Sequence, residues 1–155
     1  MNSQAVISVA VAPVYKEPIF TSEMITQALL WESVEILKDS ELWFFITMED
    51  GYKGWIHSFY LEFSFPLVSN FLTISQRLMP VYHTMNQIES ICTFLSFGTS
   101  IPIESTSENY DKVYLPNGTM VFLQLQEESI NKNRETIVRL ARSLIGVPYL
   151  WGGRS

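Results

Sequence analysis

The chain has 155 residues, with 10 Lys and Arg against 16 Asp and Glu, for a net charge of −6. At 47% hydrophobic and 17% charged it has the apolar mass for a packed core and too little charge for a disordered chain. The acidic balance argues against nucleic acid as the main partner, and a single Cys excludes an internal disulfide or a multi-Cys metal site.

The start, Met1-Asn2-Ser3-Gln4, lacks a basic leader region, and the apolar run Ala5 to Val14 is short. No run approaches the roughly 18 apolar residues of a membrane-spanning helix. The expectation is a cytoplasmic chain without a transmembrane segment, exported only if a signal has been removed.

An internal repeat sets the organisation. A shift of 67 residues lays Pro13-Val14-Tyr15 on Pro80-Val81-Tyr82 and Thr26 on Thr93. In the same register Val34 and Ile36 fall on Ile101 and Ile103, and Trp43 falls on Tyr110. Gly51 meets Gly118, and Trp55-Ile56 meets Phe122-Leu123. Such self-similarity signals two copies of one module. The boundaries are residues 1–66, 67–128 and a C-terminal piece, 129–155.

Within the first copy, Val34 and Ile36 alternate with Ser33 and Glu35, a half-buried strand pattern. Leu42 to Thr47 and Lys53 to His57 flank a Glu49-Asp50-Gly51 turn, so residues 42–57 read as a hairpin. In the second copy Tyr110 to Leu115, Pro116-Asn117-Gly118 and Thr119 to Leu123 repeat the plan. The fold class is therefore mainly β: two tandem small β-barrels followed by one C-terminal α-helix.

From Asn133 to Ile145 the period turns helical, with Ile137, Leu140, Ala141 and Leu144 on one face. Asn133 suits the N-cap, Glu135 the positive helix end, and Gly146 the C-terminal stop before Pro148. By charge, residues 1–66 carry 3 basic and 9 acidic residues, residues 67–128 carry 2 and 6, and residues 129–155 carry 5 and 1. Two acidic barrels thus precede a basic segment that can lean on them electrostatically.

Few residues suggest chemistry. Cys92, in the strand-like run Ser90 to Phe94, reads as a small core residue. His57 and His83 belong to different copies, and nothing brings either to Cys92. There is no metal-ligand spacing, and no cofactor is implied. Gly152-Gly153 follows a helix, whereas phosphate loops precede one. The recurring aromatics Tyr15, Trp43 and Trp55, with Tyr82, Tyr110 and Phe122, read as core. Residues that differ between the copies are better functional candidates. Glu32 faces Thr99, and Tyr60 faces Glu127. A carboxylate and a phenol near one rim could receive an ammonium group.

The segment Gly146-Val147-Pro148-Tyr149-Leu150-Trp151-Gly152-Gly153 resembles the opening of the NlpC-type cysteine peptidase domain. Asp50 to Ile56 looks like the distal hairpin of a bacterial SH3-like domain. Together they resemble the γ-D-glutamyl-L-diamino acid endopeptidases of cell-wall peptide processing, which carry tandem SH3-like domains ahead of a papain-like α+β domain. The family nucleophile stands in an Asp-Cys-Ser-Gly stretch beyond the Trp-Gly-Gly. The sequence reaches Ser155 without it, so no catalytic residue carries over. The expectation is a truncated, inactive piece lacking its C-terminal peptidase domain. The resemblance implies that Tyr149 and Trp151 edge the active site of an intact enzyme. It also implies that the first SH3-like domain walls the cleft, where Glu32 and Tyr60 would favour murein peptides with a free N-terminal L-Ala. The alternative is a non-catalytic module binding peptidoglycan or a protein; a peptidase working through Cys92 is a third reading.

Overall fold

Period-two alternation of β-branched and polar residues decides the strands. The computed structural model describes residues 4–85, 90–124 and 134–154. The first set of strands is β1 (Gln4–Ile7), β2 (Val11–Tyr15), β3 (Met24–Leu29), β4 (Ser33–Ser40), β5 (Trp43–Met48) and β6 (Lys53–His57). A 3₁₀ turn at Ser58–Tyr60 leads into the short β7 (Leu61–Glu62). The second set is β8 (Phe71–Thr73), β9 (Leu78–Tyr82), β10 (Ile91–Ser96), β11 (Ser100–Thr106), β12 (Tyr110–Tyr114) and β13 (Met120–Gln124). Helix α1 (Arg134–Ser143) follows.

The repeat holds in the backbone to within one residue at every strand end. A 67-residue shift carries β2, β3 and β6 end to end onto β9, β10 and β13. The sheets run β3-β2-β6-β5-β4-β1-β7 and β10-β9-β13-β12-β11-β8, the same order apart from the added β7. Even the irregularities coincide. The β2–β3 ladder skips Ile25, and the β9–β10 ladder skips Cys92, its counterpart. The hairpin turns also match: Gly51 and Gly118 adopt φ of 86° and 79°, where glycine avoids a side-chain clash.

Alternation sends aliphatic residues inward in both copies. Val14, Ile46 and Ile56 are buried in the first sheet, and their counterparts Val81, Val113 and Leu123 in the second. This corrects the expectation for the recurring aromatics. Tyr15, Trp55, Tyr82 and Phe122 neighbour those core positions in sequence, and Trp43 and Tyr110 stand three residues before Ile46 and Val113, so the pleat turns all six to the outer face, where they are half-buried. Aliphatic side chains fill the narrow interiors.

Three residues of the first module, Val6, Leu30 and Trp31, cross into the second core. Trp31 is 6% exposed and packs with Val6 and Leu30 into the cluster that contains Met79, Val81 and Leu123. Its indole Nε1–H donates to the Tyr114 carbonyl at 2.7 Å, and its ring meets Phe65 and Phe71 edge-on. Trp31 holds a left-handed φ of 69°, at the position where the second copy has Gly98 with φ of 84°. A side chain there is disfavoured, so burial and the indole hydrogen bond offset the local cost.

The helix is shorter than its periodicity suggests. Leu144 and Ile145 donate to the carbonyls of Ala141 and Arg142, three residues back, so the last turn tightens before Gly146, φ 89°. Glu135 sits in the first turn, while Asn133 lies outside the described residues. The expected apolar face is unburied: no residue of α1 is buried, and Ile137 is 61% exposed.

Candidate functional site

The β3–β4 turn positions Glu32. Its backbone carbonyl accepts the Ile7 N–H at 3.1 Å, and its Oε2 accepts the Leu29 N–H at 3.0 Å. The carboxylate opens into a small pocket of about 170 Å³ lined by Ser33, Met48, Glu49, Asp50 and Arg154. Asp50 comes from the β5–β6 turn, where its Oδ1 accepts the Tyr52 N–H at 3.2 Å.

The cation in this pocket comes from the far end of the chain. Arg154 pairs with Glu32 through Nη2 to Oε1 at 2.8 Å and Nη1 to Oε2 at 2.9 Å. Nη1 also donates to the Gln27 carbonyl at 3.1 Å and lies 4.0 Å from Asp50 Oδ2. The Arg154 backbone N–H donates to Gln27 Oε1 at 2.8 Å. Just before it, Gly152 (φ 70°) presses on β3: a Cβ there would lie 2.9 Å from the Met24 carbonyl oxygen. The Trp-Gly-Gly-Arg segment therefore docks backbone-to-backbone on the edge of the first sheet. The basic C-terminal piece leans on an acidic barrel at this residue.

Tyr60 lies on the neighbouring turn. Its carbonyl accepts the Ser8 N–H at 2.9 Å, one residue from the Ile7 N–H that Glu32 accepts. Its side chain packs on the first core, and burial together with the nearby Tyr60 pushes the Tyr15 phenol up. Consecutive N–H groups of a strand point to opposite edges, so Tyr60 lies across β1 from Glu32 and outside the residues that line its pocket, while the described partners of the Glu32 carboxylate are Arg154 and the Leu29 N–H. Tyr149 and Trp151 are 84% and 65% exposed. Tyr149 borders an open cleft of about 540 Å³ between Leu78, Ser96 and Phe97 of the second barrel and Leu144 to Leu150.

Cys92 stands apart from this rim. Its thiol donates to the Val81 carbonyl at 3.4 Å, and burial pushes its pKa up, against a smaller pull from its own and the Thr93 backbone N–H. His57 is buried among Phe20, Trp43 and Phe59, with Nδ1 accepting the Phe59 N–H at 3.2 Å. Among the described residues no three His, Cys, Asp or Glu gather as a metal site, and no helix is long and apolar enough to cross a membrane.

The sequence reading missed Trp31 and Arg154. Trp31 carried a signal, since it differs from Gly98 in the other copy. Arg154 lies outside the repeat, and nothing in the sequence ties it to a residue 122 positions away.

Known proteins fit this architecture. Residues 14–59 match the family described as the bacterial dipeptidyl-peptidase Sh3 domain. A γ-D-glutamyl-L-lysine dipeptidyl-peptidase of Bacillus subtilis (strain 168) is 26% identical, the match covering 84% of this chain and 47% of that protein. The protein of the same name from Bacillus cereus (strain ATCC 10987) is 23% identical, covering 84% and 45%. The chain spans about half the length of the curated relatives it matches. The crystal structure of an NlpC/P60 family protein from Bacillus cereus ATCC 10987 shares the fold, with a TM-score of 0.79, 18% identity, and coverage of 97% of this chain and 66% of that one. Residues 14–59 thus match a bacterial dipeptidyl-peptidase SH3 domain, and the chain is similar to γ-D-glutamyl-L-lysine dipeptidyl-peptidases and shares the fold of an NlpC/P60 family protein.

Proposed function

We propose that this chain is the N-terminal, substrate-gating region of a cysteine peptidase that cleaves the bond between γ-D-Glu and a diamino acid in murein peptides. Its task is to receive the free N-terminal amine of L-Ala-γ-D-Glu-diamino acid peptides. One observation carries the reading: the Glu32 carboxylate, beside Glu49 and Asp50, already holds a cationic group by charge-assisted hydrogen bonds. An ammonium group satisfies the same oxygens. Tyr60, across β1 from this pocket, is a second candidate for peptide contact, and the exposed Tyr149 and Trp151 would edge the active site of a peptidase domain. Hydrolysis runs through a Cys–His pair in that domain. Small free peptides as substrates suit a cytoplasmic recycling role.

Calorimetric titration tests this. L-Ala-γ-D-Glu-L-Lys should bind more tightly than its N-acetylated form, and Glu32→Gln should erase the difference, weakening the free amine roughly tenfold, the worth of a charge-assisted contact. Equal binding of the two peptides both by the native chain and by Arg154→Ala, which frees Glu32 of its guanidinium, removes the recognition role.

A second reading, a non-catalytic binding module, draws on the aromatic face of the first barrel, where Phe20 and Phe59 are 49% and 70% exposed beside Trp43. Binding of acetylated and free peptides alike, abolished by Phe59→Ala, favours it.

A further inference from the structure

Both oxygens of Glu32 are engaged by the chain itself. Arg154 takes Oε1 and Oε2 in a two-pronged pair, and Oε2 also accepts the Leu29 N–H. An arriving ammonium group needs the positions the guanidinium occupies. A second acceptor stands close by, since Asp50 Oδ2 is 4.0 Å from Arg154 Nη1. The Arg154 backbone is pinned by Gln27 Oε1 and by the packing of Gly152 on β3, and Nη1 also donates to the Gln27 carbonyl at 3.1 Å, so a move to Asp50 displaces the side chain alone and exchanges the Glu32 contacts.

Resting on the Glu32 reading, we propose that Arg154 is a specificity-determining residue of that site. Its guanidinium is an internal competitor for Glu32, handed to Asp50 when a peptide ammonium takes its place. Each carboxylate then keeps one cation. An acylated N-terminus brings no charge to replace the guanidinium, so it leaves Arg154 on Glu32 and is excluded. Without the competitor, Glu32 would attract any small cation; with it, only a ligand that makes further contacts wins the exchange. The two side chains are 33% and 30% exposed, so solvent reaches the pair and screens it. Removing Arg154 should raise affinity for the free amine by about two- to fivefold, the range for a partly exposed ion pair.

The test uses the full 155-residue chain, native and Arg154→Ala, titrated with L-Ala-γ-D-Glu-L-Lys and its N-acetyl form. Circular dichroism confirms that both are folded. The expected result is a two- to fivefold gain for the free-amine peptide in Arg154→Ala and no gain for the acetylated one. In the native chain the Arg154 Nε resonance should move on adding the free-amine peptide alone. If the native chain discriminates but Arg154→Ala binds the free amine equally or more weakly, the competitor role is overturned and the Glu32 reading stands. If only Arg154→Ala discriminates, both stand, with a stronger competitor than estimated. If neither discriminates, the Glu32 reading falls and takes this proposal with it.

Discussion

Gly152 shows how little room the docked segment has. Its φ of 70° and the 2.9–3.0 Å approach of the Met24 and Ile25 backbone to a would-be Cβ make a side chain doubly unwelcome. Gly152→Ala should lift residues 152–154 off β3, lose the Arg154–Glu32 pair, and cost roughly 1–3 kcal/mol if the backbone stays put. Faster proteolysis after Arg154 measures the loss. A different residue-scale effect sits on the second barrel. The Tyr114 hydroxyl donates to Glu104 Oε1 at 2.7 Å, and Lys112 lies 3.3 Å from Oε2, so the Glu104 carboxyl is held below its usual range and the Tyr114 phenol above its own. A carboxyl lowered on folding stabilises above its unfolded pKa, and that benefit fades as pH falls through the folded value. Tyr114→Phe should raise the Glu104 pKa, read by carbon NMR across an acid titration. Glu32 was legible as a residue that breaks the repeat. Its partner was not, because ion pairs between distant positions leave no local pattern.

At the scale of elements, the strands were legible because both copies obey the same alternation and the same turns. Asp50 and Asn117 cap matching hairpins, each accepting the N–H two residues on, at 3.2 and 3.0 Å. What alternation alone left open was which face is inside. Bulky rings look like core on hydrophobicity, yet the interior admits Val14 and Ile56 and leaves Tyr15 and Trp55 outside. Gly54 departs from its copy. A Cβ there would sit 2.7 Å from Val14 Cγ1 and 2.8 Å from the Tyr15 carbonyl, whereas the matching Val121 is accommodated and buried. Gly54→Ala should therefore destabilise the first barrel by about 1–3 kcal/mol through overpacking, visible as a lower Tm. Helix α1 was legible from its period, but its apolar face has no described partner, so periodicity named a surface without naming what lies on it.

For the whole molecule, Trp31 decides cooperativity. It grows from the first sheet and is buried in the second core, so neither sheet can open without exposing it. Trp31→Ala should cost roughly 3–5 kcal/mol as a large buried ring is lost, and split a single denaturation curve into two transitions. Coincident fluorescence and circular dichroism curves in that variant would refute the coupling. The repeat made two modules legible; the joint between them, Val6, Leu30 and a left-handed Trp31 in the second core, breaks the repeat and was not.

The docked C-terminal segment has a consequence for solubility. β3 ends its sheet, and an unpaired strand edge is a template for another chain. Residues 152–154 lie against that edge, with Gln27 engaged and the Met24 and Ile25 carbonyls covered. The segment thus acts as a guard against edge-to-edge assembly, and a chain cut after Leu150 should self-associate in light scattering at concentrations where the 155-residue chain stays monodisperse.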